Sequence, residues 1–292
     1  MDINYELYKV FYYVADTLSF SEASKQLFIS QSAVSQSIKA LEKKLDQVLF
    51  IRSTKKVQLT PEGEILLRHI EPAINLIKRG ESQIMETAST GGQIRIGASD
   101  TICRYFLVPY LERFHKAFPN AHIKVTNATS IKCTELLENG QVDLIVANYP
   151  NVYLGSLASF RKIRDFHDVF IANQSFAELQ GKKLSLKELQ RYPIIMLDRK
   201  STTSEYLHNL FLQNQLDLVP EIELSSNDLL IDLARIGLGI AFIPDFCLSQ
   251  TSDSDSLFIV ETKEVLPERE LVIAYNEKVP ISKAAQEFLS YF

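Results

Sequence analysis

The chain has 292 residues, of which 46% are apolar, so it is long enough for two or three units with hydrophobic cores of their own. Its formal net charge is −5, no apolar run approaches the roughly 18 residues of a membrane span, and no basic segment leads into an apolar one near Met1, so we expect neither a membrane nor a secreted protein. Cys103, Cys133 and Cys247 are odd in number and lack CxxC spacing, which argues against a disulfide framework or zinc site and favours a cytoplasmic protein with reduced thiols.

Residues 20–41, FSEASKQLFISQSAVSQSIKAL, predict two short helices joined by a tight turn at Ile29 and Ser30. We expect Ser21 to cap the first helix and Ser30 to cap the second, because a serine oxygen can accept from the free N–H groups of a first turn. The buried faces are predicted to carry Ala23, Leu27 and Phe28 on the first helix, and Ala33, Val34, Ile38 and Leu41 on the second.

The opposite face of the second predicted helix is polar and suits the major groove of double-stranded DNA. Glutamine can pair with adenine through two hydrogen bonds, and serine can bond to any base edge. An ordinary surface helix with one polar side is the alternative, since helix-turn-helix look-alikes are common. The residues predicted to face the bases are Gln31, Ser32, Ser35, Gln36 and Lys39.

A short basic hairpin is predicted after the second helix. Arg52, Lys55 and Lys56 are expected near its tip, which is the charge pattern of a wing that lies along DNA phosphates. Residues 39–56 contain six basic residues against two acidic ones, a local net charge of +4. Residues 1–90 are neutral overall, with 11 basic and 11 acidic residues, so the global charge does not argue against a nucleic-acid partner.

Residues 61–88 predict one long helix beginning at Pro61, a favoured first helical position. Pro72 removes one backbone hydrogen bond and is expected to kink this helix. Apolar residues at spacings of three and four favour dimerisation through one face, the alternative being a face packed on its own domain. The stripe consists of Ile70, Ile74, Ile77, Ile84 and Ala88, and the domain boundary is placed at Gly91–Gly92.

Beyond Gly92 the pattern changes to strands that alternate with helices, which predicts parallel sheets flanked by helices. Helices are expected over residues 102–118, 131–139 and 281–292. Strands are expected over residues 93–98, 121–125, 142–147, 167–172, 193–197, 222–224, 239–243 and 270–275.

Hydroxyl and amide side chains recur where these strands end. Ligands of α/β proteins lie at the carboxyl ends of strands, beside the N–H groups of helix N-termini, so we expect one shared pocket and an anion or small carboxylate as its ligand. Asp100 would oppose an anion, and Arg104 could offset it. The alternative is that each hydroxyl only caps a helix. The predicted pocket residues are Ser99, Thr101, Thr129, Ser130, Asn148, Thr202 and Thr203.

Catalytic patterns are missing from the sequence, which contains no GxSxG, no HExxH and no phosphate-binding glycine loop. Residues 237–242, GLGIAF, lack the third glycine of a dinucleotide fingerprint. The five histidines are dispersed among polar residues. We therefore expect no enzyme, no metal and no cofactor. Two alternatives stay open, a solute-binding or metabolite-modifying protein with a DNA tether, and a redox sensor that uses Cys103.

Four segments in order along the chain resemble the LysR-type transcriptional regulators: residues 23–27 (ASKQL), 30–42 (SQSAVSQSIKALE), 49–52 (LFIR) and 59–63 (LTPEG). Residues 234–244, ARIGLGIAFIP, are similar to a late glycine-rich motif of the same family. Ser32 stands where the family often has proline, and Gln36 and Ser37 where it often has Arg-Gln. These departures concern the base sequence that is read, not the mode of binding.

The resemblance implies an N-terminal all-α winged helix-turn-helix domain (1–60), a long linker and dimerisation helix (61–90), and a C-terminal α/β effector domain (91–292). That domain would consist of two Rossmann-like lobes, as in periplasmic binding proteins, with lobe one at 93–161 plus 267–292, lobe two at 162–266, and hinges near residues 160–162 and Pro267. The family's peroxide-sensing members carry a close cysteine pair in lobe two, where this chain has only Cys247.

The implied function is sequence-specific transcriptional regulation controlled by a small-molecule effector. The implied partners are double-stranded DNA with an interrupted palindrome, the effector, and further copies of the chain as a homodimer or a homotetramer. RNA polymerase is kept as a further candidate partner, and no membrane is expected.

Overall fold

The computed structural model describes residues 3–52, 56–85, 92–155, 158–250 and 257–292. The chain forms two compact units, Met1–Met85 and Glu86–Phe292. Within the described ranges, no helix combines the length and the apolar character that crossing a bilayer requires.

The first unit contains the predicted helix-turn-helix. Helices α1 (Tyr5–Thr17), α2 (Phe20–Leu27) and α3 (Gln31–Leu45) enclose one core. Ser30 caps α3, as predicted, by accepting a hydrogen bond from the N–H of Ala33 at 3.1 Å. The fully buried side chains of this core include Phe11, Val14, Ala23, Val34, Ile38 and Leu41.

Two details of α2 differ from the prediction. Its cap is Ser19, not Ser21, and the Ser19 hydroxyl accepts from the N–H of Glu22 at 3.2 Å. Phe28 was expected on the buried face but is 95% exposed, because the helix ends at Leu27 and Phe28 adopts a left-handed conformation with φ of 55°. Phe28 would face the core only if the helix continued through it, and the helix ends one residue before it.

A hairpin and a long helix complete the first unit. Strands β1 (Phe50–Arg52) and β2 (Val57–Leu59) pair in antiparallel fashion, and α4 runs from Pro61 to Met85 without ending at Pro72. Thr60 fixes the start of α4, since its hydroxyl accepts from the N–H of Gly63 and donates to a backbone carbonyl of residue 48. Residues 53–55, which include the predicted wing residue Lys55, lie outside the described residues. So do residues 86–91, which include the predicted helix end at Ala88 and the boundary glycine Gly91.

The second unit contains two sheets. The first has the strand order β4 (His122–Asn127), β3 (Gln93–Ala98), β5 (Leu144–Tyr149), β13 (Arg269–Asn276) and β6 (Ala158–Phe166). Its helices are α5 (Asp100–Ile102), α6 (Val108–Ala117), α7 (Ser130–Glu138) and α11 (Lys283–Leu289). A π-helical turn, Cys103–Leu107, joins α5 to α6, so the single helix predicted over 102–118 is divided. We call this part lobe one.

Lobe two is built on the second sheet, with the order β10 (Ile222–Leu224), β9 (Ile194–Leu197), β11 (Ile240–Pro244), β7 (Asp168–Ala172), β12 (Phe258–Thr262) and β8 (Lys183–Leu184). Its helices are α8 (Leu186–Leu189), α9 (Thr202–Gln213) and α10 (Asn227–Arg235), with 3-10 turns at Gln174–Leu179 and Asp245–Gln250.

Both sheets are mixed, which corrects the prediction of parallel sheets. Strand β13 runs antiparallel to β5 and β6, and β7 runs antiparallel to β11 and β12. Alternating strands and helices predict parallel neighbours only where consecutive strands of one sheet are joined by helices. The pattern does not give the direction of a strand that follows a passage through the other lobe.

The crossing between the lobes also lies later than predicted. Residues 160–162, expected to form a hinge, lie inside β6, and the chain passes to lobe two at His167, between β6 and β7. Strand β6 was missed because its sequence, ASFRKIRDF, is rich in charge and lacks an apolar run. That composition is typical of an edge strand, and β6 lies at the edge of its sheet.

Candidate functional sites

The polar face of α3 projects from the first unit. Val34, Ile38 and Leu41 anchor the helix in the core with no exposed surface, so the opposite side of the helix is fixed toward solvent. Four of the five residues predicted to face bases are exposed, and Ser35 is half-buried. The structure therefore brings these residues together on one helix face: Gln31, Ser32, Ser35, Gln36 and Lys39.

Arg52, one of the predicted wing residues, folds back against the helices. Its guanidinium lies over the ring of Phe20, with 4.6 Å from Cζ to the ring centroid. It donates to the Ser35 hydroxyl at 3.3 Å and pairs with Glu42 at 3.5 Å. Arg52 thus lies in a groove beside the polar face of α3. Lys56 is exposed, and Lys55 lies outside the described residues.

Every predicted pocket residue lines one cleft in the second unit. The cleft has a volume of about 280 Å³ and is formed by the carboxyl ends of strands from both lobes. Ser201, from the predicted cluster 201–204, also lines the cleft, and sequence reasoning missed Asp198, Ser226 and Asn227. The predicted residues found together are Ser99, Thr101, Thr129, Ser130, Asn148, Thr202 and Thr203.

Three helices of eight or more residues begin at the cleft, namely α7, α9 and α10. Each is capped by the residue before it, since the hydroxyl oxygens of Thr129, Ser201 and Ser226 accept from backbone N–H groups of the first turn. Ser99 caps α5 in the same way. Ser99 and Thr129 therefore cap helices and also line the cleft, whereas Ser130, Thr202 and Thr203 are first-turn helical residues.

Two asparagines connect the lobes across the cleft. Asn148 of lobe one donates to the Thr202 hydroxyl at 3.4 Å, and Asn227 of lobe two donates to the Thr101 hydroxyl at 2.9 Å. The side-chain carbonyl oxygens of both asparagines are buried and accept no hydrogen bond from the described residues. Buried acceptors of this kind are normally satisfied, so these two mark positions where a ligand or water would bond.

A buried ion pair lies behind the cleft and was not predicted. Arg269 of β13 and Asp168 of β7 are about 1% exposed, and their side chains meet at 2.6 Å. The guanidinium also donates to the hydroxyls of Thr203 at 3.1 Å and Thr202 at 3.2 Å. Arg269 stands between Glu268 and Glu270, so in the sequence it resembles a solvated charge and gives no signal of burial.

The charges beside the cleft differ from the expectation. Arg104 was expected to offset Asp100, but it pairs with Asp228 at 3.3 Å. Asp100 instead accepts from the side-chain amide of Asn127 at 3.2 Å. Asp198 also lines the cleft, and among the described lining residues there is no lysine or arginine.

The cysteine thiols are poorly suited to redox sensing. Burial, with a smaller effect of Asp100, raises the pKa of Cys103 to about 11. Burial raises the pKa of Cys133 to about 12 and that of Cys247 higher still. Thiols with raised pKa values stay protonated near neutral pH, whereas the thiolate is the reactive form. All three are free cysteines.

Known protein families match both units. Residues 5–64 match the model of bacterial regulatory helix-turn-helix proteins of the lysR family, and residues 87–292 match the LysR substrate binding domain. The HTH-type transcriptional activator CmpR of Synechocystis sp. is 27% identical over 285 residues, which cover 97% of this chain and 93% of that protein.

Solved structures share the fold at lower identity. Full-length CbnR in complex with its target DNA has a TM-score of 0.67 and 17% identity, covering 99% of this chain and 98% of that one. The regulatory domain of Synechocystis CcmR in complex with 2-PG has a TM-score of 0.62 and 21% identity, covering 68% of this chain and 95% of that one.

Proposed function

The chain belongs to the LysR family of transcriptional regulators, and from that premise we propose that its cleft binds a small effector, an anion or a small carboxylate, that controls how the chain binds DNA. The observation that carries the proposal is the meeting of three helix N-termini and seven predicted polar residues at one cleft between two lobes. Backbone N–H groups at helix N-termini favour negative charge. By linkage, an effector that prefers one lobe arrangement shifts the population toward it.

Thermal unfolding of the full chain with small anions and carboxylates tests the effector half of the proposal. A ligand that binds only the folded state stabilises it by RT ln(1 + [L]/Kd), about 2.7 kcal/mol at a hundredfold excess over Kd. We expect one of these ligands to raise the unfolding temperature, and Thr202→Val to remove the shift, since Thr202 lines the cleft. If no anion or carboxylate raises the unfolding temperature, the proposed effector chemistry is wrong.

For the DNA half, we propose that the polar face of α3 reads bases and that Lys55 and Lys56 bind phosphates, on a DNA site that is an interrupted palindrome. Arg52 lies beside the base-reading face, so we assign it to the edge of the recognition groove. The support is the exposure of Gln31, Ser32 and Gln36 on a helix whose other side is fully buried.

Gln36→Ala is expected to change the preferred base at one position, with a loss of about 1–3 kcal/mol of discrimination. Lys56→Ala is the matched control on the hairpin and should weaken all sequences alike and lower the salt slope by about 1. Fluorescence anisotropy with a set of operator variants at several salt concentrations measures both. A uniform loss for Gln36→Ala, with unchanged base preference, would contradict its role.

We also propose that α4 joins two chains into a dimer, the unit that a palindrome requires. Ile77 and Ile84 lie seven residues apart on α4, and they are 44% and 86% exposed in the single chain. Apolar side chains with that spacing pack against a second helix in coiled coils. Sedimentation equilibrium should give a mass of at least twice the 33.2 kDa of one chain.

A further inference from the structure

We propose that the effector of this cleft is zwitterionic, an α-amino acid or a close analogue. Its carboxylate would lie against the N-termini of α7 and α9, and its ammonium group against the acceptor groups of Asp100, Asp198 and Asn227, all of which line the cleft. The inference rests on the proposed function, because it assigns the chemistry of the same cleft.

The N-termini of α7 and α9 offer hydrogen-bond donors to the cleft. The Thr202 hydroxyl accepts from Arg269 and from Asn148, so both of its lone pairs are used and its own O–H must donate elsewhere. The Thr203 hydroxyl accepts from the same guanidinium. Both hydroxyls belong to residues that line the cleft in the first turn of α9, and Ser130 begins α7 beside them. A carboxylate would meet O–H and N–H donors together here.

Other residues that line the cleft offer acceptors. Asn227 is 5% exposed and lines the cleft, and its amide donates to Thr101 while its side-chain carbonyl oxygen has no partner among the described residues. Asp100 and Asp198 line the same cleft. Each has one oxygen engaged, by the Asn127 amide and by the N–H of Lys200, respectively. Two carboxylates and a buried carbonyl without a donor favour a ligand that donates hydrogen bonds. An ammonium group has three N–H donors.

The donors and acceptors of the cleft together select against simpler anions. A monocarboxylate would leave the buried side-chain oxygen of Asn227 without a donor, which is unfavourable for a buried group. A dianion would place its second charge close to Asp100 or Asp198, and no described lining residue is a lysine or arginine that could offset it. The nearby cations Arg104 and Arg269 are already paired with Asp228 and Asp168.

The test is a set of ligands that share a carbon skeleton and differ in the group on the α-carbon, measured by thermal unfolding and calorimetric titration of the full chain. The set comprises the twenty standard L-amino acids, with matched trios such as alanine, lactate and propionate, or aspartate, malate and succinate, together with phosphate and sulfate. We expect at least one amino acid to bind about tenfold or more tightly than its hydroxy and deaminated counterparts, since a hydrogen bond to a charged group is lost.

Variants test the acceptor groups of the cleft. Asp198→Asn and Asp100→Asn keep shape but remove charge, and each should weaken the amino acid about tenfold or more while leaving the deaminated acid unchanged or tighter. Asp100 is exposed, so its replacement should leave folding intact. The matched control is Asp217→Asn, an exposed carboxylate of lobe two outside the cleft, which should change neither ligand.

The outcomes separate this inference from the proposed function. The zwitterionic effector is ruled out if none of the twenty amino acids binds. It is also ruled out if the amino acids that bind do so no more tightly than their deaminated counterparts. If phosphate or a carboxylate still shifts the unfolding temperature in either case, an anionic effector in the cleft remains supported. If no anion and no amino acid changes the unfolding temperature, the effector chemistry given under the proposed function is wrong as well.

Discussion

The Arg269→Met variant is expected to be less stable than the wild type by about 3–5 kcal/mol. Asp168 lies in β7 with about 1% exposure, and Arg269 is the charged group that pairs with it. Removing the guanidinium leaves a carboxylate inside the protein without its counter-charge, and it also takes a donor from Thr202 and Thr203. Urea unfolding of the full chain, with the second unit followed as its own transition, measures the loss.

The deficit of Arg269→Met should depend on pH. Burial raises the pKa of Asp168 above its ordinary value of 3.8, and Arg269 opposes that shift. Without Arg269 the folded-state pKa rises further, so the folded variant binds a proton more readily than the unfolded chain. Stability is then retained below the unfolded pKa and lost as pH rises through the folded one. The difference in the free energy of unfolding between the variant and the wild type should therefore be largest near neutral pH and decrease toward pH 4.

Two companion variants separate this effect from a general loss of an ion pair. The double variant Asp168→Leu with Arg269→Met should recover much of the loss, because no isolated buried charge remains. Lys183→Met breaks an exposed pair with Glu261 on β12 and should change stability by less than about 1 kcal/mol. A deficit in Arg269→Met that is the same at all pH values would contradict an uncompensated Asp168 as its cause.

Sequence patterns predicted the polar face of α3 and the shared cleft better than they predicted the sheets. The face of α3 was predictable because Val34, Ile38 and Leu41 repeat with the helical period. The cleft was predictable because polar residues such as Thr129 and Thr202 follow strands, and strand ends gather at one edge of a sheet. Both arguments depend only on local spacing.

Features that depend on the long-range path were not predictable. Strand β6 carries the composition of a loop because it is an edge strand, and Arg269 is hidden between two glutamates. Asn227 follows a predicted strand, β10, but its amide bonds to Thr101, 126 residues away in the other lobe, and no local pattern shows that contact. Only the assembled lobes bring these residues to the cleft.

Arg269 and Asp168 also connect the cleft to the crossings between the lobes. Asp168 is the first residue of β7, directly after the chain enters lobe two, and Arg269 is the first residue of β13, where it returns to lobe one. The guanidinium holds the hydroxyls of Thr202 and Thr203 on the cleft side. Ligand contacts at these hydroxyls would therefore act on the point where both crossings meet, which fits an effector that changes the angle between lobes.

The Gly63→Ala variant should lose about 3 kcal/mol of stability in the first unit and, with it, DNA affinity. A Cβ atom at position 63 would lie 2.3 Å from the backbone oxygen of Leu49 and 3.0 Å from Cδ2 of Leu59. The first contact is with backbone, so relief requires α4 to move away from β1. This close approach gives a physical reason for the glycine in the LTPEG segment. Displacing β1 would also displace Arg52, its last residue, from the recognition groove.

Gly80→Ala is the matched control, since it makes the same change in the same helix. A Cβ at position 80 meets no atom within 4 Å. Alanine restricts the unfolded chain more than glycine does, so Gly80→Ala should stabilise the helix by about 0.5–1 kcal/mol. Thermal unfolding together with operator binding measures both variants. If Gly63→Ala lowers stability and Gly80→Ala raises it, the contact between residues 63 and 49 is the constraint. If both variants are stabilised equally, α4 can move away from β1 at no cost in stability.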